Sequence, residues 1–316
     1  MGRTVLAHLT RYAEGILPLL RGSLPDVEFV ACEPDGSHDR TSDVLVMLLD
    51  DRAKLDPQAF GRAFTPDVRW IHVLGAGVDR FPLRAVGDRM LTCSRGAAAP
   101  AIAEFVLAAM LAFEKQLPDV WVTEPPEHWG AAVLGGLRGR TLGLIGLGAI
   151  GQEVARRALA FDMRVAAFRR TAAPSPVPGV EVRSALHEVL AEADHLVVAA
   201  PATNETRRLL DAPAFAAMKS GLHLVNIARG ELIDQDELIR ALDDGRVARA
   251  SLDVTDPEPL PAGHALYAHP RVRLSPHISW SSAGTIVRTI EIFVENVHRY
   301  DAGEPLEGIV DVEAGY

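Results

Sequence analysis

Residues 142–151 read Leu142-Gly143-Leu144-Ile145-Gly146-Leu147-Gly148-Ala149-Ile150-Gly151, and this stretch decides the fold. Its first half has the short apolar character of a buried strand. Its second half is a G-x-G-x-x-G, and residues 150–161 continue with a helical pattern. The hexapeptide alone is a weak signal; between a strand and a helix it is informative. Gly146 permits the tight turn, Gly148 lets backbone approach a pyrophosphate, and Gly151 lets helix and strand pack closely. The helix N terminus, with Ala149 and Ile150, then offers N–H groups and a partial positive charge to phosphate. The competing reading, a tight turn with no ligand, is disfavoured by that context. A Rossmann-type dinucleotide site follows.

The pattern extends outward on both sides. Apolar runs of strand length occur at 141–145, 164–168, 195–199, 223–228, 248–254 and 272–274, with helices such as 150–161 and 234–243 between them. Upstream, runs at 44–49 and 68–74 flank a helix expected over 53–64, and the second run ends in Gly75-Ala76-Gly77-Val78-Asp79. Continuous apolar runs alternating with helices predict parallel sheets buried on both faces. Ile102, Phe105, Val106, Ala109, Met110 and Phe113 share one helical face, as do Ile286, Ile290, Phe293, Val294 and Val297. Between the first of these helices and Gly139 lies an irregular, apolar-rich segment, 117–137, containing Trp121 and Trp129. It reads either as an arm for a second subunit or as a surface loop on the same chain.

With 316 residues, about two domains are expected. The fold class is α/β: a doubly wound parallel coenzyme domain plus a smaller, flavodoxin-like α/β substrate domain. The expected boundaries are 1–97 together with 287–316 for the discontinuous substrate domain, and 98–286 for the dinucleotide-binding domain. The composition, 48% hydrophobic and 23% charged, is that of a globular protein. A net charge of −10 argues against a nucleic-acid binder, which needs a basic face. Cys32 and Cys93 are too few for a disulfide framework and have no partners at zinc spacing, so no metal is expected and a reducing cytoplasm is. The start lacks a signal-peptide core, Leu6 breaks a myristoylation motif at Gly2, and no run is long enough to span a bilayer. The chain is expected to be cytoplasmic, with no membrane partner. The 26 glycines and 21 prolines mark many turns.

The strand after the glycine turn bears on the choice of cofactor. An NAD site places Asp or Glu near its end, for the ribose 2′-hydroxyl. Here Arg169-Arg170-Thr171 stands there instead. Two guanidiniums and a hydroxyl suit a 2′-phosphate, which predicts NADP(H) over NAD(H), with NAD(H) still possible. Solvated surface charge is the alternative.

Three further side chains follow successive strand ends: Arg229, Glu258 and His277. Ligands bind at such ends in open α/β sheets. Hydride transfer to a carbonyl leaves charge on oxygen, and a protonated His can neutralise it. A carboxylate favours and orients the imidazolium, while an Arg holds a substrate carboxylate. A 2-keto acid requires this set. Reduction should fall as pH rises through the His277 pKa.

At this point the chain resembles the D-isomer-specific 2-hydroxyacid dehydrogenase family from about Val68 onward. The resemblance rests on AGVD (76–79), IAEFVLAAML (102–111), LGLIGLGAIG (142–151), PATNET (201–206), LVNIARGELID (224–234), LDVTDPEPLP (252–261) and SPHIS (275–279). It implies that Arg229 holds substrate, that His277 is the acid/base and that Glu258 pairs with it. It implies that Asp253 lies near the nicotinamide carboxamide, that Pro201 and Ile227 line the cofactor, and that Ala76 and Gly77 hold the substrate carboxylate. It also implies a homodimer through the coenzyme domain, with segment 117–137 as the arm. Trp280 reads as a wall of the substrate pocket or as ordinary packing.

Some positions depart from the family pattern. Asp162 stands before Met163 where a glycine is common, Ser275 replaces a common Thr, and 96–102 lacks a Thr often found near the nicotinamide. Arg169 in place of Asp groups the chain with NADPH-preferring glyoxylate/hydroxypyruvate reductases. Glu258 rather than Gln argues against the formate dehydrogenase branch. The expected function is NADPH-dependent reduction of a small 2-keto acid. The alternatives are an NAD-linked dehydrogenase similar to phosphoglycerate dehydrogenase and a non-catalytic nucleotide-sensing scaffold.

Overall fold

A computed structural model describes residues 3–9, 13–48, 62–79, 81–171 and 173–316. The chain divides into two compact units, 1–98 with 282–316, and 99–281. The second crossing falls at Ser282 rather than at 287. Ser282 caps the last helix, its Oγ accepting from Thr285 N at 3.1 Å, so the unit changes where that rigid element begins.

The first unit carries β1 (Thr4–His8), β2 (Glu28–Ala31), β3 (Val44–Met47), β4 (Trp70–Val73) and β5 (Met90–Cys93). Their order is β2-β1-β3-β4-β5, all parallel, which is the flavodoxin-like arrangement. Helices α1 (Ala13–Ser23) and α2 (Leu83–Val86) belong to the same unit. The helix expected over 53–64 lies, apart from its last residues, outside the described residues. Successive strand residues point to opposite faces, so Val5 and Ala7 join one core while Leu6 joins the other.

The second unit begins with α3 (Ala99–Glu114) and continues through β6 (Thr141–Ile145), α4 (Ala149–Ala160), β7 (Arg164–Phe168), β8 (Val180–Arg183), α5 (Leu186–Glu192), β9 (His195–Val198), α6 (Ala212–Ala217), β10 (Leu222–Asn226), α7 (Gln235–Asp243), β11 (Val247–Leu252), α8 (Ala265–Ala268) and β12 (Val272–Leu274). The parallel order β12-β11-β10-β9-β6-β7-β8 is the doubly wound one, reversing between β9 and β6. Asp211 and Asp234 cap α6 and α7 by accepting from Ala214 N and Glu237 N, so Asp234 precedes its helix rather than starting it.

The last helix, α9 (Ala283–Ala302), returns to the first unit and ends at Gly303, whose φ of 70° stops it. It brings Ile290, Phe293 and Val297 onto Val5, Val44 and Trp70. A buried polar chain ties it to the sheet. Trp70 Nε1 donates to Thr92 Oγ1 at 2.8 Å, Thr92 Oγ1 lies 2.7 Å from His72 Nδ1, His72 Nε2 lies 3.0 Å from Ser94 Oγ, and Ser94 Oγ donates to Thr289 O at 3.1 Å. Because the Ser94 proton is spent on a carbonyl, Nε2 must be the donor, and Nδ1 of the neutral ring accepts from Thr92.

That neutral form has a consequence for acid stability. Burial pushes the His72 imidazole down to about 3. His223 in the second unit also falls well below its ordinary value, first through burial and then through His195 and Arg249. In the unfolded chain each titrates near about 6.5. Stability is therefore full above that value and is lost as pH falls toward 3, because the unfolded chain takes up protons that the fold refuses. His72 alone should contribute about 1.4 kcal/mol per pH unit in that window. The urea midpoint should drop between about pH 7 and 5, and His72→Gln should flatten the drop. An equal slope in that variant would contradict the assignment.

Candidate active site

The residues singled out in the second unit follow the C-terminal ends of its strands. Reading from β12 toward β7, these ends lead to His277, then Asp253 and Glu258, then Ile227 and Arg229, then Pro201, then 146–151, then Arg169, Arg170 and Thr171. The five strand spacings span about 24 Å.

The glycine turn has the stereochemistry that its spacing requires. Gly146 has φ of 99°, and a Cβ there would lie 2.7 Å from Ala199 O. A Cβ on Gly151 would collide with Gly146 O, so helix and turn touch backbone to backbone. Gly148 faces open space, with nothing within 4 Å of where its Cβ would be, and caps α4 without a side-chain bond. Ala149 and Ile150, half-buried, begin the helix. A pyrophosphate fits this turn: open space lies in front of a helix N terminus whose first N–H groups have no intrahelical acceptor. Arg169 is half-buried just past β7; Arg170 and Thr171 are exposed. Ile227 is buried and Pro201 exposed, with Pro201 O accepting from Thr206 Oγ1 at 2.7 Å.

His277 Nδ1 lies 2.7 Å from Glu258 Oε1, and both side chains are about three-quarters covered. The pair is bonded directly, though 19 residues separate it in sequence. His277 itself has φ of 56°, in the left-handed region. Asp253, 2% exposed, directs its carboxylate at the loop that carries His277. Its Oδ1 accepts from Ser275 Oγ at 2.5 Å and Ile278 N at 2.9 Å, and its Oδ2 from Ser279 N at 2.9 Å. Its backbone carbonyl accepts from His277 N at 2.9 Å. Trp280 Nε1 donates to His277 O at 2.9 Å.

Arg229, half-buried, follows β10, and its Nη1 donates to Ala228 O at 2.7 Å. Buried Asn226 shapes this turn, donating to Arg229 O at 2.9 Å and accepting from Ala228 N at 3.0 Å. Gly230 is pressed against the Thr255–Asp256 peptide so closely that a Cβ would overlap it. Gln235 grips the Asp256 backbone at both its carbonyl and its N–H. The Arg229 and Glu258 loops are thus joined through backbone. Asn226, Gly230 and Gln235 were not anticipated. A buried polar residue ending an apolar run was the available signal for Asn226.

Ala76 and Gly77 belong to the first unit, exposed on the turn after β4. Asp162, where a glycine is usual, adopts φ of 57°, a conformation that Asp tolerates better than most residues, and the turn persists. Among the described residues no three His, Cys, Asp or Glu side chains are grouped to hold a metal. No helix among them is long and apolar enough to cross a membrane.

Comparison with known proteins agrees with this architecture. The family model "D-isomer specific 2-hydroxyacid dehydrogenase, NAD binding domain" matches residues 107–279. Glyoxylate reductase of Thermofilum pendens is 30% identical over 87% of this chain and 83% of its own length. D-3-phosphoglycerate dehydrogenase of Bacillus subtilis is 34% identical over 67% of this chain, which spans only 41% of that enzyme. Among solved structures, an NADPH-dependent glyoxylate/hydroxypyruvate reductase from Sinorhizobium meliloti, in complex with NADP and sulfate, superposes with a TM-score of 0.85 at 26% identity, covering 99% of this chain and all of that one.

Proposed function

The chain belongs to the D-isomer-specific 2-hydroxyacid dehydrogenase family, and on that premise we propose that it reduces a small 2-keto acid to the D-2-hydroxy acid with NADPH as reductant. Membership makes it an NAD(P)-dependent oxidoreductase; the substrate class, the preference for NADPH and the residue roles are our reading. The observation that carries it is the 2.7 Å His277–Glu258 pair, on loops that follow the same C-terminal ends of the parallel strands as the glycine turn.

Bound NADPH supplies the hydride. Gly146, Gly148, Ala149, Ile150 and Gly151 would hold its pyrophosphate, Arg169, Arg170 and Thr171 its 2′-phosphate, and Pro201, Ile227 and Asp253 its nicotinamide half. His277 gives a proton from Nε2 to the substrate oxygen, because Nδ1 is committed to Glu258. Glu258 keeps the ring oriented and favours its protonated form. Arg229 binds the substrate carboxylate and polarises the neighbouring carbonyl. Ala76 and Gly77 keep their assignment to the substrate. In this reading 99–281 is the dinucleotide-binding domain, and 1–98 with 282–316 the substrate domain.

Segment 117–137 supports a homodimer, since it is irregular and leaves Trp121 and Trp129 71% and 81% exposed. A cytoplasmic location fits two free cysteines.

The test is initial-rate oxidation of NADPH and NADH against glyoxylate, hydroxypyruvate, pyruvate and phenylpyruvate. NADPH should be preferred. Arg169→Asp should shift the preference toward NADH by about 10- to 100-fold, the worth of a charge-assisted hydrogen bond. An unchanged ratio would remove Arg169 from the site. The Bacillus relative favours a second reading, an NAD-linked dehydrogenase of the phosphoglycerate type, and NADH preference in the parent protein would select it. No turnover with either nucleotide would favour a nucleotide-sensing scaffold.

A further inference from the structure

His277 is held in an unusual backbone state. A non-glycine residue in the left-handed region carries a conformational cost and persists only where its surroundings over-determine it. His tolerates that region better than most residues, so the state is accessible to it without being its preference. Two groups hold it. On one side, Asp253 grips the N–H groups of Ile278 and Ser279 with its carboxylate and the N–H of His277 with its carbonyl. On the other side, the Trp280 indole donates to the His277 carbonyl, while Ser281 N bonds Ile278 O at 2.9 Å. The first holds the peptide N–H groups, the second the carbonyl of the residue that bears the imidazole.

Trp280 is an odd residue to find there for packing alone. The residue is 43% exposed, so it is not filling a core. Its one polar atom is nonetheless committed to the backbone of His277, three residues away. A donor that fixes this carbonyl restrains ψ of His277, and with it the direction in which the Cα–Cβ bond carries the ring; aim is what proton transfer depends on. Glu258 sets the rotation of the ring; the backbone sets where the ring starts.

We propose that Trp280 is a positioning residue for this reaction, its indole Nε1–H holding the His277 carbonyl and so the line along which the imidazole meets the substrate. The proposal rests on His277 being the acid/base. It differs from a pocket wall, in which the indole face would touch substrate and the N–H would be incidental.

Trp280→Phe keeps a flat apolar ring and removes the donor. Its kcat should fall about 3- to 10-fold, the worth of one such hydrogen bond. KM for keto acid and NADPH should stay within about twofold of the parent, the signature of an interaction made in the transition state. The solvent deuterium isotope effect on kcat should rise, because a less well aimed proton claims a larger share of the barrier; a merely structural role would not move it. Trp280→Leu, which lacks both ring and donor, should show the same kcat defect and is measured alongside. NADPH binding by fluorescence confirms that both variants are folded. Unchanged kcat and isotope effect would overturn the proposal. So would a raised KM at constant kcat, which would make Trp280 a substrate wall. A His277→Asn enzyme that still turns over would instead overturn the functional reading, so the two failures are separable.

Discussion

Replacing His277 by asparagine should lower kcat by about 100- to 10,000-fold while leaving NADPH affinity close to that of the parent. The magnitude is that of losing a general acid. Asparagine is the informative replacement because it, like histidine, accepts the left-handed backbone found at this position, with φ of 56°. The loop on Asp253 can then survive while the imidazole is removed. Alanine would combine the loss of the acid with a change in the backbone. Nucleotide affinity should persist because the glycine turn follows β6, four strands along the sheet from β12. Single-turnover NADPH oxidation and equilibrium binding separate the two quantities. Near-parental turnover would exclude His277 as the acid.

The second large effect should come from a residue with no reacting group. Gly230→Ala places a methyl where the Thr255–Asp256 peptide already lies, and neither side can yield easily because Asn226 and Gln235 fix the flanking loops. The Arg229 turn and the Glu258 loop must move apart. A displacement of about 1 Å at a catalytic group is enough for a 100-fold loss, so kcat/KM should fall by about that factor. Overpacking should also cost about 1–3 kcal/mol of stability. Thermal unfolding measured beside kinetics checks both, and parental kinetics would mean that the loops are not coupled as their contact implies.

How much of this was legible beforehand depended on what each residue does. β6, β7 and β12 appear at the bounds expected from their apolar runs, because buried parallel strands are written as such runs. β8, Val-Glu-Val-Arg, is an edge strand covered only in part, and its charges hide it. β5 contains Thr92, buried because Trp70 and His72 use its hydroxyl, and a polar residue of that kind interrupts an apolar pattern. α5 and α6 run for only seven and six residues, too few for a helical period to declare itself. In the candidate site, Arg229, Glu258 and His277 could be read from their chemistry. Asn226, Gly230 and Gln235 act through backbone contacts between loops that are distant in sequence, and no local pattern records such contacts. Asp253 was legible as an acid near the site, but not as the group that grips residues 275–279.

The way α9 returns to the first unit also sets a timetable. On the ribosome, β1 to β5 are made early, yet the side chains that cover Val5, Val44 and Trp70 arrive only with Ile290, Phe293 and Val297. Residues 99–281 are synthesised in between and form a unit of their own. At ~5–20 residues per second, that interval is about 10–40 s. For that time the nascent chain carries a sheet with one apolar face partly covered by Leu17 and Leu20 of α1 and by Leu24 just after it, but still without α9. Exposed apolar surface of this kind favours association, so a chain truncated before α9 is expected to aggregate.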